Sequence, residues 1–141
     1  MRHPQNAWEL AVKNAYGFGK TVAMSYEQAL EKVTAELQKE GFGVLTEIDV
    51  KATMKKKLDH DIPPYKILGA CNPPFARRAL EAEPTIGLLL PCNVVVRQDD
   101  GGAVHVEFMD PDAMQKLSSS PDLAKVAAEV RERLVRVMNA L

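Results

Sequence analysis

The sequence predicts a single α+β domain: a mainly antiparallel sheet with helices packed on one face. Three observations carry this. Asp99-Asp100-Gly101-Gly102 is a hairpin turn between two β-rich runs, which forces antiparallel pairing there. Between the other β-rich runs, apolar residues recur at three- and four-residue steps, the spacing of amphipathic helices. The resulting order is strand, helix, strand, short helix, strand, helix, hairpin, helix, which suits a sheet with a helical layer against it.

The elements follow in chain order. Residues 1–15 form a leader, in which Asn6 can cap a short helix carrying Trp8, Ala11, Val12 and Ala15, or which stays a loose arm. Tyr16 to Ala23 reads as a strand weakened by Gly17 and Gly19. Ser25 and Gln28 make a capping box for a helix whose stripe is Tyr26, Ala29, Leu30, Val33 and Leu37. Gly41 supplies its left-handed stop. Phe42 to Val50 is the second strand, and Asp49 caps a short helix to Leu58 in which Val50, Met54 and Leu58 share a side. After a loop at 61–64, Tyr65 to Cys71 is the third strand. Asn72-Pro73 then starts a helix, Asn as cap and Pro at the first position, that ends before Pro84.

Ile86 to Arg97 is expected to be the strongest strand, followed by the hairpin and Val104 to Met109. A three-residue loop, Asp100 to Gly102, sets Val96 opposite Val106 and Val94 opposite Phe108. A two-residue loop would set those valines against His105 and Glu107. Because a one-residue slip turns every side chain over, the apolar match selects the longer loop. Cys92, Val94, Val96, Val104, Val106 and Phe108 then share one buried face. Asp110-Pro111 opens a short helical turn, and Ser120-Pro121 starts the last helix. Its stripe is Leu123, Val126, Ala127, Val130, Leu134, Val137 and Met138, with Glu129/Arg133 and Glu132/Arg136 as four-apart pairs. Tyr65, Ile67, Leu68, Leu88, Leu89, Leu90, Val94, Val95 and Val96 are apolar on both parities. Both faces of the central strands are therefore expected to be covered, which predicts a homodimer.

At 141 residues with 46% hydrophobic content, the chain can bury a core without disulfides or metal. Eighteen basic residues against nineteen acidic ones leave no field to draw nucleic acid or an anionic membrane. No apolar run reaches the roughly 18 residues of a membrane span, and the N-terminus lacks a secretory apolar core. Two cysteines do not make an extracellular disulfide framework, so the cytoplasm is the expected compartment.

Tyr65-Lys66-Ile67-Leu68-Gly69-Ala70-Cys71-Asn72-Pro73 and Ile86-Gly87-Leu88-Leu89-Leu90-Pro91-Cys92-Asn93-Val94-Val95-Val96 together resemble the bacterial and archaeal "domain of unknown function 302" family. The likeness runs from about Tyr16 to Leu141 and takes in Lys57-Leu58, Ala76, Ala79-Leu80, Asp110-Pro111 and Met114. It implies a compact domain similar to the TATA-binding-protein fold that forms homodimers, and it implies no particular activity. The leader lies outside the pattern.

The two Cys-Asn blocks mark the candidate ligand site: Cys71, Asn72, Cys92 and Asn93, joined by Lys57. A thiol just before a helix start has its thiolate favoured by backbone amides, so Cys71 with Cys92 can also be read as a redox or metal-handling pair. Against that, free cysteines are commonly small buried hydrophobes, and Cys92 shares the parity of Val94 and Val96. Asn72 is read first as a helix cap. Asn93, polar in an apolar strand, must bond nearby backbone or line a pocket. His3, His60 and His105 do not converge in sequence, and Asp59-His60-Asp61 reads as solvated loop charge. Lys55-Lys56-Lys57 and Arg77-Arg78 could grip an anion as a pair, but solvated helix faces are the commoner case. Glycine-rich phosphate loops, nucleophile elbows and zinc motifs are missing from the sequence. The expected function is a small dimeric binding or sensor domain for a small-molecule ligand, with no cofactor, metal or catalytic residue assigned. The alternatives are the thiol protein just described and a structural dimer without activity of its own.

Overall fold

The structure, a computed structural model, describes residues 12–141. Its strands are β1 (Val12–Lys13), β2 (Gly17–Val22), β3 (Gly43–Asp49), β4 (Tyr65–Cys71), β5 (Cys92–Gln98) and β6 (Val104–Met109). They form one six-stranded sheet in the order β1-β2-β6-β5-β4-β3, antiparallel at every described pairing. The helices are α1 (Tyr26–Lys39), α2 (Val50–Leu58), α3 (Pro73–Ala82), α4 (Pro111–Gln115) and α5 (Pro121–Asn139). The chain is thus α+β, as its patterning predicts.

Local chemistry sets the elements. Ser25 and Gln28 close the capping box of α1, and Gly41 follows its end at φ +87°. Asp49 caps α2 by accepting from the Ala52 N–H, and Asp110 and Ser120 cap α4 and α5 in the same manner. The hairpin pairs Val94 with Phe108 and Val96 with Val106. Asp99 and Ala103 close a three-residue loop in which Gly102 takes φ +91°. The register chosen by apolar matching is the one formed.

The core lies between one face of the sheet and the α1, α3, α5 layer. Phe18, Leu68, Val94, Val96, Val106 and Phe108 point from the strands toward Ala29, Val33, Leu37, Val126, Leu134 and Met138 of the helices, all buried. Phe18 and Phe108, opposite each other in β2 and β6, stack at 5.7 Å between ring centres. By contrast α2 buries no residue.

Four expectations are corrected. Val12 pairs in β1 with β2, so the leader helix does not include it; residues 1–11, with Asn6, Trp8 and Ala11, lie outside the described residues. The stretch from Ile86 is no continuous strand: Pro84–Leu89 is a 3-10 turn, the Leu90–Pro91 peptide is cis, and the ladder starts at Cys92. Pro91 has no N–H to give a ladder, and Ile86 is buried from the turn instead. The second sheet face is not apolar throughout. Beside Ile48, Ile67 and Val95 it carries Thr21, Asn93, Arg97, His105 and Glu107, exposed or half-buried. Finally, Glu132 pairs with Arg136 as expected, but Glu129 turns to Arg78 and Arg133 to the Glu40 carbonyl, because neighbouring α3 and the end of α1 offer closer partners.

Candidate functional site

The Cys-Asn blocks stand side by side at one end of the sheet, where Ala70 pairs with Cys92 and Gly69 with Asn93. Alternation along β5 then divides them. Cys92 faces the helices, buried at 7% exposure, and Asn93 faces the open side.

Between the strand ends, α3 and α5 is a cavity of about 340 Å³. Cys71, Asn72 and Cys92 line it among apolar groups, notably Phe42, Phe75, Leu80 and Val130. Both thiols are free. Burial, and then the nearby Cys71, push the Cys92 thiol up to about 11, so it stays protonated near neutrality. Its chemistry there is that of a small hydrophobe. Cys71 is half-buried at the cavity wall.

Asn72 holds the N-cap position of α3 without capping it. Its Nδ2 donates instead to the Glu40 carbonyl at 3.2 Å, an acceptor shared with Arg133 Nη1 at 3.0 Å. The free carbonyl at the end of α1 needs donors, and buried Asn72 is placed to serve it. Gly41 makes the approach possible, since a Cβ there would stand 2.8 Å from Nδ2.

Asn93 and Lys57 do not join this site. Lys57 sits on exposed α2 and lines neither cavity. Of the other basic residues, Lys55 pairs with Asp59 and Asp61, Arg77 with Glu81 and Arg78 with Glu129, as solvated faces do. Asn93 lines a second cavity, of about 600 Å³, on the open face. There Arg97 grips Glu107 with two bonds, Nε to Oε1 at 2.7 Å and Nη2 to Oε2 at 3.2 Å. Beside it His105 Nε2 meets Asp99 Oδ2 at 2.8 Å, and its Nδ1 meets Thr21 Oγ1 at 2.9 Å. The Arg97–Glu107 fork and the His105 relay were not anticipated. The hairpin register held the signal, for it places Arg97 opposite His105 and diagonal to Glu107. Among the described residues, no group of three or more His, Cys, Asp or Glu could hold a metal. No described helix is long and apolar enough to cross a membrane.

A family model described as "Domain of unknown function DUF302" matches residues 18–141. A solved structure, that of an "uncharacterized conserved protein DUF302" from Bacillus stearothermophilus, is similar with a TM-score of 0.82 and 29% identity. The match covers 88% of this chain and 96% of that one. Comparison with curated proteins finds no match.

Proposed function

The chain belongs to the family described as Domain of unknown function DUF302, and on that premise we propose that it is a small dimeric binding module whose ligand fills the cysteine-lined cavity. The cavity itself carries the reading. At about 340 Å³ it lies within the ~300–1,000 Å³ range of small-molecule sites. Its walls are almost wholly apolar, Asn72 already donates from Nδ2 to the Glu40 carbonyl, and Leu80 at the wall is exposed. Such a site favours a neutral apolar molecule. Lys57 and Asn93 have no part in it.

The probe is N-phenyl-1-naphthylamine, a neutral fluorophore that brightens in apolar pockets. Saturable binding by the wild type, lost when the cavity is filled by Ala76→Trp at a position of α3 that lines it, supports the reading. Absence of saturable binding leaves the structural dimer or the thiol reading. The latter has one observation in its favour: both thiols line one cavity. With Cys92 buried and held protonated, that reading rests on Cys71.

The dimer is assigned to the β3 edge and α2. Among the described strands β3 ends the sheet and leaves its outer backbone groups unpaired. Leu45, Ile48 and Leu58 in this region are 68%, 51% and 70% exposed. A second copy would cover them. Light scattering that gives a monomer mass at micromolar protein removes this part of the proposal. The two free thiols favour a reducing, cytoplasmic setting.

A further inference from the structure

We propose that the open face of the sheet carries a second and independent ligand site, the 600 Å³ trough beside Asn93, and that it takes a flat, uncharged heterocycle of the nucleobase kind. The floor comes first. Gly17 and Gly19 leave β2 bare where it borders the trough. A Cβ on Gly19 would stand 2.5 Å from the Val106 carbonyl oxygen and 2.7 Å from Glu107 Cγ, so no side chain fits there. Tyr16 and Tyr65 add aromatic rings to the lining, the groups on which flat rings stack.

Charge then narrows the ligand. The paired Arg97 and Glu107 present donors and acceptors to the trough while their charges cancel. An anionic ligand would meet Glu107, and a cationic one would meet Arg97. Both are disfavoured against a neutral molecule. Asn93 supplies the reading group. Its exposed carboxamide has no hydrogen-bond partner among the described residues, so its donors and its acceptor are all available. A ring with adjacent donor and acceptor edges satisfies Asn93 and the fork together.

The test is saturation-transfer NMR on the full chain with adenosine, guanosine, cytidine and uridine, each at millimolar concentration. Benzoate and benzylamine serve as charged ring controls. The expected result is transfer to at least one nucleoside, with a Kd between about 10 μM and 1 mM, and none to the controls. Asn93→Ala is expected to weaken binding about tenfold or more. Val95→Trp, which fills the trough, abolishes it. Ala76→Trp on the other side of the sheet leaves it unchanged, so failure here and failure of the cysteine cavity are told apart. No transfer to any nucleoside, equal transfer to the charged rings, or unaltered affinity in Asn93→Ala in a folded variant would overturn the proposal.

Discussion

The side-chain amide of Asn72 donates to the main-chain carbonyl of Glu40, 32 residues earlier in the chain. One amide thereby ties the start of α3 to the end of α1. It does so with its own helix left uncapped by any side chain.

That geometry separates two readings of Asn72 by mutation. A capping residue is replaced well by Ser or Asp, at small cost. A buried donor to a carbonyl is not, because a carboxylate would face the Glu40 oxygen. Asn72→Ala is expected to lose about 1–2 kcal/mol in urea unfolding, and Asn72→Asp at least as much. Rescue by Asp or Ser would show that capping decides this position.

The thiols are expected to differ in reactivity. At pH 7.5 iodoacetamide modifies Cys71 readily and Cys92 only after denaturant is added, read by mass spectrometry of tryptic peptides. Fast labelling of both would contradict the burial of Cys92.

The same thiol predicts a pH dependence. Burial raises the Cys92 pKa from 9.0 to about 11, so above pH 9 the unfolded chain releases a proton that the folded chain keeps. Its contribution to stability is fully present below pH 9 and falls as pH climbs toward 11. The slope is at most about 1.4 kcal/mol per pH unit. Tyr26, raised to about 12 by burial and then by Asp49, adds a loss of the same sign above pH 10. Cys92→Ala is expected to flatten unfolding curves between pH 9 and 10 while lowering stability at pH 7. An unchanged slope in that variant would assign it elsewhere.

Gly69 sits where β4 is crowded on its open side. A Cβ there would overlap Thr46 Oγ1 and stand 2.9 Å from Pro91 Cγ. Gly69→Ala is expected to destabilise by about 1–3 kcal/mol, as overpacked positions do. Thr46→Ala should recover part of that loss in the double variant, and strict additivity in chemical unfolding would refute the contact.

Asp99 organises the hairpin. One carboxylate oxygen accepts from the Gly101 and Ala103 N–H groups at 3.0 Å, and the other meets His105. The His105 bond first, then the Ala103 amide, holds its carboxyl below the ordinary range. A lowered carboxylate pKa stabilises the fold above its ordinary value of 3.8 and loses that effect as pH falls through the folded value. Asp99→Ala is therefore expected to speed hydrogen exchange at the Gly101 and Ala103 amides at pH 6. Unchanged protection there would mean that Gly102 alone sets the turn.

Much of the fold was legible because its determinants are local or periodic. The capping box at Ser25, the caps at Asp49 and Ser120, and the left-handed stop at Gly41 each depend on a few adjacent residues. The hairpin register followed from matching Val94 and Val96 to Phe108 and Val106, since a one-residue slip buries His105 and Glu107. The strand expected from Ile86 failed because apolarity alone does not separate a strand from a buried turn, and Pro84 and Pro91 decide that stretch.

The site was legible only in part. The sequence marked Cys71, Asn72, Cys92 and Asn93 as the candidate residues but left open whether the two blocks meet, which the pairing of β4 with β5 decides. Tertiary structure decided which of them share a cavity. Neighbours in a strand point to opposite faces, so Cys92 and Asn93 serve different cavities although one peptide bond joins them. Whether Asn72 caps its own helix or ties down another depends on where the end of α1 lies, a contact that only packing across 32 residues supplies.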